Sequence, residues 1–258
     1  MFETTACVPQ SPRPWPLHAA FAPGDEGSIG SGRIAARLER IQGAVAAQRR
    51  IVRQGDFVYQ AGKAFTHLFV VNTGMFKVVN LSRDGREQIV SLKYRGDWMG
   101  FDGIAEHCHN CDAVALDTGE VWSISYDALL QASAREPALM AEVHRSMSRE
   151  IARDRDSLIS VCTLPADARV ADFLCNWAAA LADRGLRTDQ VTLRMTRAEI
   201  GNYLGLTLET VSRAMSRLSR EGLIRFVDKA RRELCLHDVP ALADFVRVAV
   251  EPALSTLQ

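Results

Sequence analysis

The residues best placed to do chemistry lie between Thr196 and Gly222 and between His107 and Cys111. In the first segment, Glu209, Ser212, Arg213, Ser216 and Arg220 share one side of a 3.6-residue repeat, and Leu208, Val211, Met215 and Leu218 share the other. A guanidinium at Arg213 is a planar two-donor fork that matches the O6 and N7 acceptors of guanine, and a carboxylate at Glu209 can accept from cytosine N4. The same face also reads as a solvated helix surface with a Glu209 to Arg213 pair four residues apart. The second segment packs His107, Cys108, His109 and Cys111 into five residues, a spacing able to bind a metal or to cycle between dithiol and disulfide. No second ligand pair at metal spacing accompanies it, so an unremarkable polar loop is the alternative and no metal is assigned.

Thr196 followed by Glu199 is a capping box that starts a helix, and Gly205 ends it after Leu204. Thr207 then caps a second helix running to Gly222. Two helices joined by so short a Gly-containing turn form a helix-turn-helix. Strands at Leu223–Val227 and Glu233–Leu236 flank a basic tip containing Arg231, a wing able to touch phosphates. The predicted DNA-contacting set is Thr196, Arg197, Thr207, Glu209, Thr210, Ser212, Arg213, Ser216, Arg217 and Arg231.

Upstream, the period is that of strands. Eight are predicted at Arg50–Arg53, Phe57–Gln60, Leu68–Val71, Met75–Asn80, Gln88–Leu92, Asp97–Gly100, Asp112–Leu116 and Glu120–Ser125, with glycines between many of them. That spacing predicts a β-roll of the jelly-roll kind. A short helix over Arg33–Ala47 precedes it, after a Pro- and Gly-rich tail. Pro137 opens a long helix whose Met140, Val143, Met147 and Ile151 form a narrow stripe suited to a helix–helix seam, continued by Asp154. Packing of that stripe on its own domain is the competing reading. Pro165 separates this helix from the next, Ala168–Arg184. The expected organisation is a tail (1–32), a β-roll sensor (33–136), a dimerisation helix (137–164) and a winged helix-turn-helix (165–258), an α+β chain overall.

Lysine plus arginine equals aspartate plus glutamate, 31 of each, so any affinity for nucleic acid must be local. Val191–Glu233 carries nine basic residues against five acidic ones. No apolar run is long enough to span a membrane and no secretion signal is evident, which predicts a cytoplasmic protein with reduced thiols. Cys162, Cys175 and Cys235 lie among apolar neighbours and are expected in the core. Trp15 and Trp98 are candidates for a ligand pocket or, more simply, for the core.

The order of β-roll, long helix and winged helix, with Gly-Asn-Tyr-Leu-Gly-Leu-Thr-Leu-Glu-Thr-Val-Ser-Arg at 201–213, resembles the CRP/FNR superfamily of transcriptional regulators. The resemblance spans about residues 33–240 and is strongest to the fumarate and nitrate reduction subgroup. It implies a homodimer on double-stranded DNA, with Glu209, Ser212 and Arg213 reading a TTGAT-N4-ATCAA palindrome. Leu208 stands where the cAMP-binding branch has Arg. The resemblance also implies a contact with RNA polymerase through Leu81–Gly85, and an acidic seam residue, here Asp154, that holds the inactive form apart.

Two family cofactors are disfavoured. The [4Fe–4S] cluster needs four thiolates or equivalents, and only Cys7 precedes residue 100, with Trp122 where the β-roll cysteine would stand. For cAMP, the phosphate-binding Arg is replaced in Asn110-Cys111-Asp112-Ala113, and an acid there repels phosphate. The sensor is left as His107, Cys108, His109 and Cys111, with the signal unknown. Two rival classes, a cupin-like enzyme and a cyclic-nucleotide module without a regulatory role, lack the ligand sets they need.

Overall fold

The computed structural model describes residues 27–82, 84–228 and 232–255, with side chains of 27–31 and 250–255 excepted. Helix α1 (Gly27–Ala44) leads into eight strands: β1 (Gln48–Val52), β2 (Phe57–Tyr59), β3 (His67–Thr73), β4 (Phe76–Leu81), β5 (Glu87–Lys93), β6 (Trp98–Met99), β7 (Cys111–Ala115) and β8 (Gly119–Ser125). They form two antiparallel four-stranded sheets, ordered β1-β8-β3-β6 and β2-β7-β4-β5. Every predicted strand is present. Val52, Val58, Phe69, Val71, Phe76, Met99, Ala113 and Val121 fill the space between the sheets, as alternation along half-buried strands requires.

Helix α2 (Tyr126–Arg135), capped by Ser125, was not foreseen. It is followed by α3 (Pro137–Thr163), with Pro137 in its first turn as expected, and by α4 (Ala166–Ala182). The rest is β9 (Gln190–Thr192), α5 (Arg197–Leu204), α6 (Leu208–Arg220), β10 (Arg225–Phe226), β11 (Glu233–Cys235) and α7 (Val239–Ser255). The wing strands are shorter than predicted, and β9 joins them in a sheet ordered β10-β11-β9. Helix α1 begins at Gly27 rather than Arg33, so the expected tail is cut short; its Leu38 and Ile41, with Val45 just beyond, pack on Trp98, Trp122 and Ile124 of the β-roll. Trp98 is thus core, while Trp15 lies outside the described residues.

The stripe on α3 divides. Val143 is buried in the β-roll core, and Met140 and Met147 pack against that core, so the chain's own domain covers the N-terminal half of the expected seam. Ile151 stays 49% exposed, and Leu158 (64%) and Ile159 (42%) extend an apolar face that the sequence reading had stopped short of. Asp154 is on the exposed part of the same helix.

One core crosses the expected domain boundary at Leu164. Met75, Val79, Ile89 and Leu92 of the β-roll belong to the same buried cluster as Phe173, Trp177, Ile200, Val211 and Leu242.

Candidate DNA-binding interface

The two helices of the C-terminal motif are set by local rules. Thr196 Oγ1 accepts from the Glu199 amide at 3.1 Å, and Glu199 Oε2 accepts from the Thr196 amide at 2.8 Å, completing the capping box of α5. Gly205 takes φ +65°, a left-handed conformation that releases the chain from α5. Gly201 is required for a different reason: a Cβ there would sit 2.6 Å from the Leu206 carbonyl oxygen, so only glycine lets α5 approach the turn. Thr207 then accepts from the Thr210 amide at 3.2 Å and starts α6.

Helix α6 buries Val211, Ala214, Met215 and Leu218. Leu208, expected on that apolar side, is 46% exposed because it occupies the first position of the helix, ahead of the turn that packs. Glu209, Arg213, Arg217 and Arg220 are exposed on the opposite side, with Thr210, Ser212 and Ser216 half-buried beside them. The amide at its own position in the first turn and the Thr207 hydroxyl hold the Glu209 carboxyl below the usual range, so it is a charged acceptor at neutral pH. Arg213 Nη2 donates to Thr210 Oγ1 at 3.3 Å, which leaves most of its donors facing out.

Beside this face runs a groove of about 590 Å³ lined by Thr210, Ser212, Arg213, Ser216, Arg217 and Arg220 together with Ala166 and Asp167. The last two begin α4, whose N-cap Pro165 supplies no side-chain cap. The start of α4 therefore borders the groove with the positive end of its dipole, and with the Asp167 carboxylate that Arg217 neutralises. Sequence reading expected this helix from Ala168, with Pro165 ahead of it, but gave its start no part in the interface.

Two members of the predicted set are otherwise engaged. Arg217 bridges Asp167 at 2.7 Å and Glu221 at 2.8 Å, tying α6 to α4. The Arg197 guanidinium lies 5.5 Å over the Phe226 ring and contacts Met215 Sδ, so it braces the wing against the helix pair. Arg231 lies outside the described residues.

The predicted sensor residues are not brought together. His107 is exposed, with φ +54°; Cys108 pairs through its backbone with Ala64; His109 is buried; Cys111 is buried on β7. Among the described residues no group of three or more His, Cys, Asp or Glu side chains could hold a metal ion. Burial pushes the Cys111 thiol up to about 11 and the Cys175 thiol up to about 12, so both are protonated at neutral pH. These described cysteines do not fit a four-thiolate cluster, and Cys7 lies outside them. Cys175 is core as expected. Cys162 is exposed near the end of α3, and Cys235 is half-buried because it alternates with the buried Leu234 along β11. Between the β-roll and α3, a cavity of about 440 Å³ is lined by Cys111, Asp102, Glu150 and Asp154, with no arginine among its described lining residues.

A β-roll that feeds a long helix and then a winged helix-turn-helix defines a DNA-binding regulator with a sensory domain. The models of the cyclic nucleotide-binding domain and of the Crp-like helix-turn-helix domain match residues 49–136 and 168–245. The chain is 37% identical over 215 residues to the transcriptional regulatory protein btr of Bordetella pertussis, covering 83% of this chain and 87% of that one. It is 34% identical over 177 residues to the fumarate and nitrate reduction regulatory protein of Yersinia pestis, covering 69% and 71%. The structure of FixK2 from Bradyrhizobium japonicum superposes with a TM-score of 0.70 at 27% identity, over 78% of this chain and 97% of that one. The chain belongs to the CRP/FNR family, and it is a DNA-binding transcriptional regulator and not an enzyme. No helix among the described residues is long and apolar enough to cross a membrane.

Proposed function

We propose that the protein works in the cytoplasm as a homodimer that reads a TTGAT-N4-ATCAA-like palindrome through Glu209, Ser212 and Arg213. The observation that carries this reading is the division of α6: four apolar residues are buried, and the three base-reading candidates stand on the open side beside the uncapped start of α4. Thr196, Thr207, Thr210, Ser216, Arg220 and the wing's Arg231 fix the register on phosphates, and Arg197 and Arg217 hold the framework. The domain limits follow the four segments above, with the sensor's first helix moved forward to Gly27 and the dimer formed along the exposed half of α3. If the protein activates transcription, the Leu81–Gly85 turn is the surface offered to RNA polymerase. The signal is redox, oxygen or a small molecule. A cyclic nucleotide is disfavoured by the three carboxylates in the cavity at Cys111.

Fluorescence anisotropy at one fixed salt concentration tests the DNA reading. Arg213→Ala should cost about 1–3 kcal/mol on the palindrome and relax preference at the contacted guanine, whereas Arg220→Ala should weaken all sequences alike. Equal affinity of the unaltered protein for the palindrome and for scrambled DNA would overturn it.

A further inference from the structure

The groove beside α6, of about 590 Å³, is lined by three guanidinium groups, those of Arg213, Arg217 and Arg220. Their spacings of four and three residues put them on one face of the helix, where each is a candidate for DNA phosphate. Among the described residues, Arg217 is the one of the three held in ion pairs.

The way it is held decides what it can do. A guanidinium forks a phosphate along one of two edges, Nε with Nη2 or Nη1 with Nη2. Glu221 accepts from Nε at 2.8 Å and Asp167 accepts from Nη1 at 2.7 Å, so an acid stands on each edge. Glu221 lies four residues further along α6 itself, the spacing of an ordinary surface pair. Asp167 comes from a different helix, α4, and also lines the groove. From the first turn of α4 it opposes the positive end of that dipole as well. One carboxylate thus reduces two attractions for phosphate on a face built to meet DNA. With Arg217 52% exposed and Asp167 29%, the pair does little as a tie between α4 and α6.

Phosphate contacts supply non-specific binding, and specificity is a difference between affinities, so an acid that weakens the former sharpens the latter. We propose that Asp167 is a specificity-determining residue: by occupying Arg217 it lowers affinity for DNA of any sequence and leaves discrimination to Glu209, Ser212 and Arg213. This rests on the DNA reading of α6 given above. Base contacts hold the palindrome in one register, whereas scrambled DNA settles in whichever register meets a freed guanidinium. Scrambled DNA therefore gains more from its release.

Fluorescence anisotropy of the full chain on the palindrome and on scrambled DNA, over a series of salt concentrations, tests this. Asp167→Asn keeps the size and removes the charge. It should bind scrambled DNA at least ~3-fold more tightly at ~0.1 M salt, steepen the fall of log K with log salt by ~0.9, and narrow the ratio between the two DNAs. Asp167→Glu keeps the charge and should stay at the unaltered values. Asp189→Asn takes the acid from an equally short pair, with Arg187, outside the groove lining, and should leave the slope unchanged. Thermal melts establish that each variant is folded, and Asp167→Ser, for which the same gain is expected, decides should Asp167→Asn fail to melt cooperatively. Weaker binding by the folded neutral variants would make the pair a structural tie, an unchanged slope would mean that no phosphate is gained, and an equal rise with Asp189→Asn would reduce the effect to net charge; each overturns the assignment. Equal affinity of the unaltered protein for the two DNAs is the separate result that overturns the DNA reading of α6, and the assignment with it.

Discussion

Asn202 pairs with Ile89 as a neighbouring strand would: its Oδ1 accepts from the Ile89 amide at 2.6 Å, and its Nδ2 donates to the Glu87 carbonyl at 2.7 Å. One side chain of α5 thus satisfies the free edge of β5, and Gln88 reaches back to the Asn202 carbonyl. Three residues earlier on α5, Glu199 accepts from Lys77 of β4 at 2.7 Å, so the carboxylate that caps α5 also ties it to the β-roll. The first helix of the DNA-binding motif is therefore fixed to the sensory domain by groups that cannot be replaced by apolar ones. Asn202→Ala should lower the urea-unfolding free energy by about 1–3 kcal/mol, because it leaves strand-edge groups unpaired in a partly dry contact. Unchanged stability, together with unchanged protease sensitivity at the β4–β5 turn, would show the pairing to be incidental.

Asp97, in the turn between β5 and β6, joins three parts of the molecule. It accepts from Arg153 of α3 at 3.2 Å, from Arg184 just after α4 at 3.1 Å and from the Tyr94 amide at 2.9 Å. Burial alone would raise its pKa, but the two guanidinium groups and the amide outweigh burial and hold the carboxyl below its ordinary value. A depressed folded value contributes stability that is present above the unfolded value of ~3.9 and is lost as pH falls through the folded one. Asp97→Ala leaves the buried Arg184 without its acid and should cost about 3–5 kcal/mol at neutral pH. The difference between variant and unaltered protein should shrink on acidification below pH ~3.9, and a difference that does not change with pH would contradict the role given to the ion pairs.

Much of this was legible in the sequence, and the failures have physical causes. Glycines between short alternating runs located all eight strands of the β-roll, and Thr196, Glu199, Gly205 and Thr207 located both helices of the motif, since capping and left-handed turns are written in single residues. Helix α7 carried a readable signal in Pro240 and the Leu242 to Val246 spacing, but the reading stopped at the wing. Strand β9 carried almost none, being three residues long with one buried. Periodicity located the apolar stripe of α3 but could not say what covers it. Val143 proved to face its own β-roll and Ile151 proved open, a distinction that depends on tertiary packing. The shared core across Leu164, the Asn202 contact and the groove at Ala166 all depend on residues far apart in sequence, for which local pattern holds no record.

The thiols should separate by burial. Cys111 and Cys175, pushed up to about 11 and about 12, offer almost no thiolate at pH ~7.5, whereas Cys162 is exposed. Iodoacetamide applied to the folded chain, with the sites read by peptide mass spectrometry, should alkylate Cys162 readily and Cys111 and Cys175 at least ~10-fold more slowly than in denaturant. Rapid alkylation of Cys111 in the folded protein would restore the His107–Cys111 segment as a thiol switch and remove the argument from burial.

Association is expected to be limited by Asp154. The open half of α3 offers Ile151 and Leu158, seven residues apart and thus nearly in line along the helix, and Asp154 lies between them at the edge of that face. Already in the single chain, burial raises the Asp154 pKa against the opposing pull of Lys93 and Arg153. A second copy would remove more water and set Asp154 toward Asp154, adding like-charge repulsion. A carboxyl whose folded value is raised disfavours the ordered state once it ionises, so dimer should increase as pH falls through that raised value. Asp154→Ala and Asp154→Asn should both strengthen dimerisation about 10-fold or more and raise affinity for the palindrome, because each removes the charge and the second keeps the size. The competing arrangement, in which Asp154 pairs with Arg155 of a second copy, predicts the opposite sign for both variants. Sedimentation at matched concentrations distinguishes them: variants no more dimeric than the unaltered chain would mean that repulsion at this position does not hold the two copies apart.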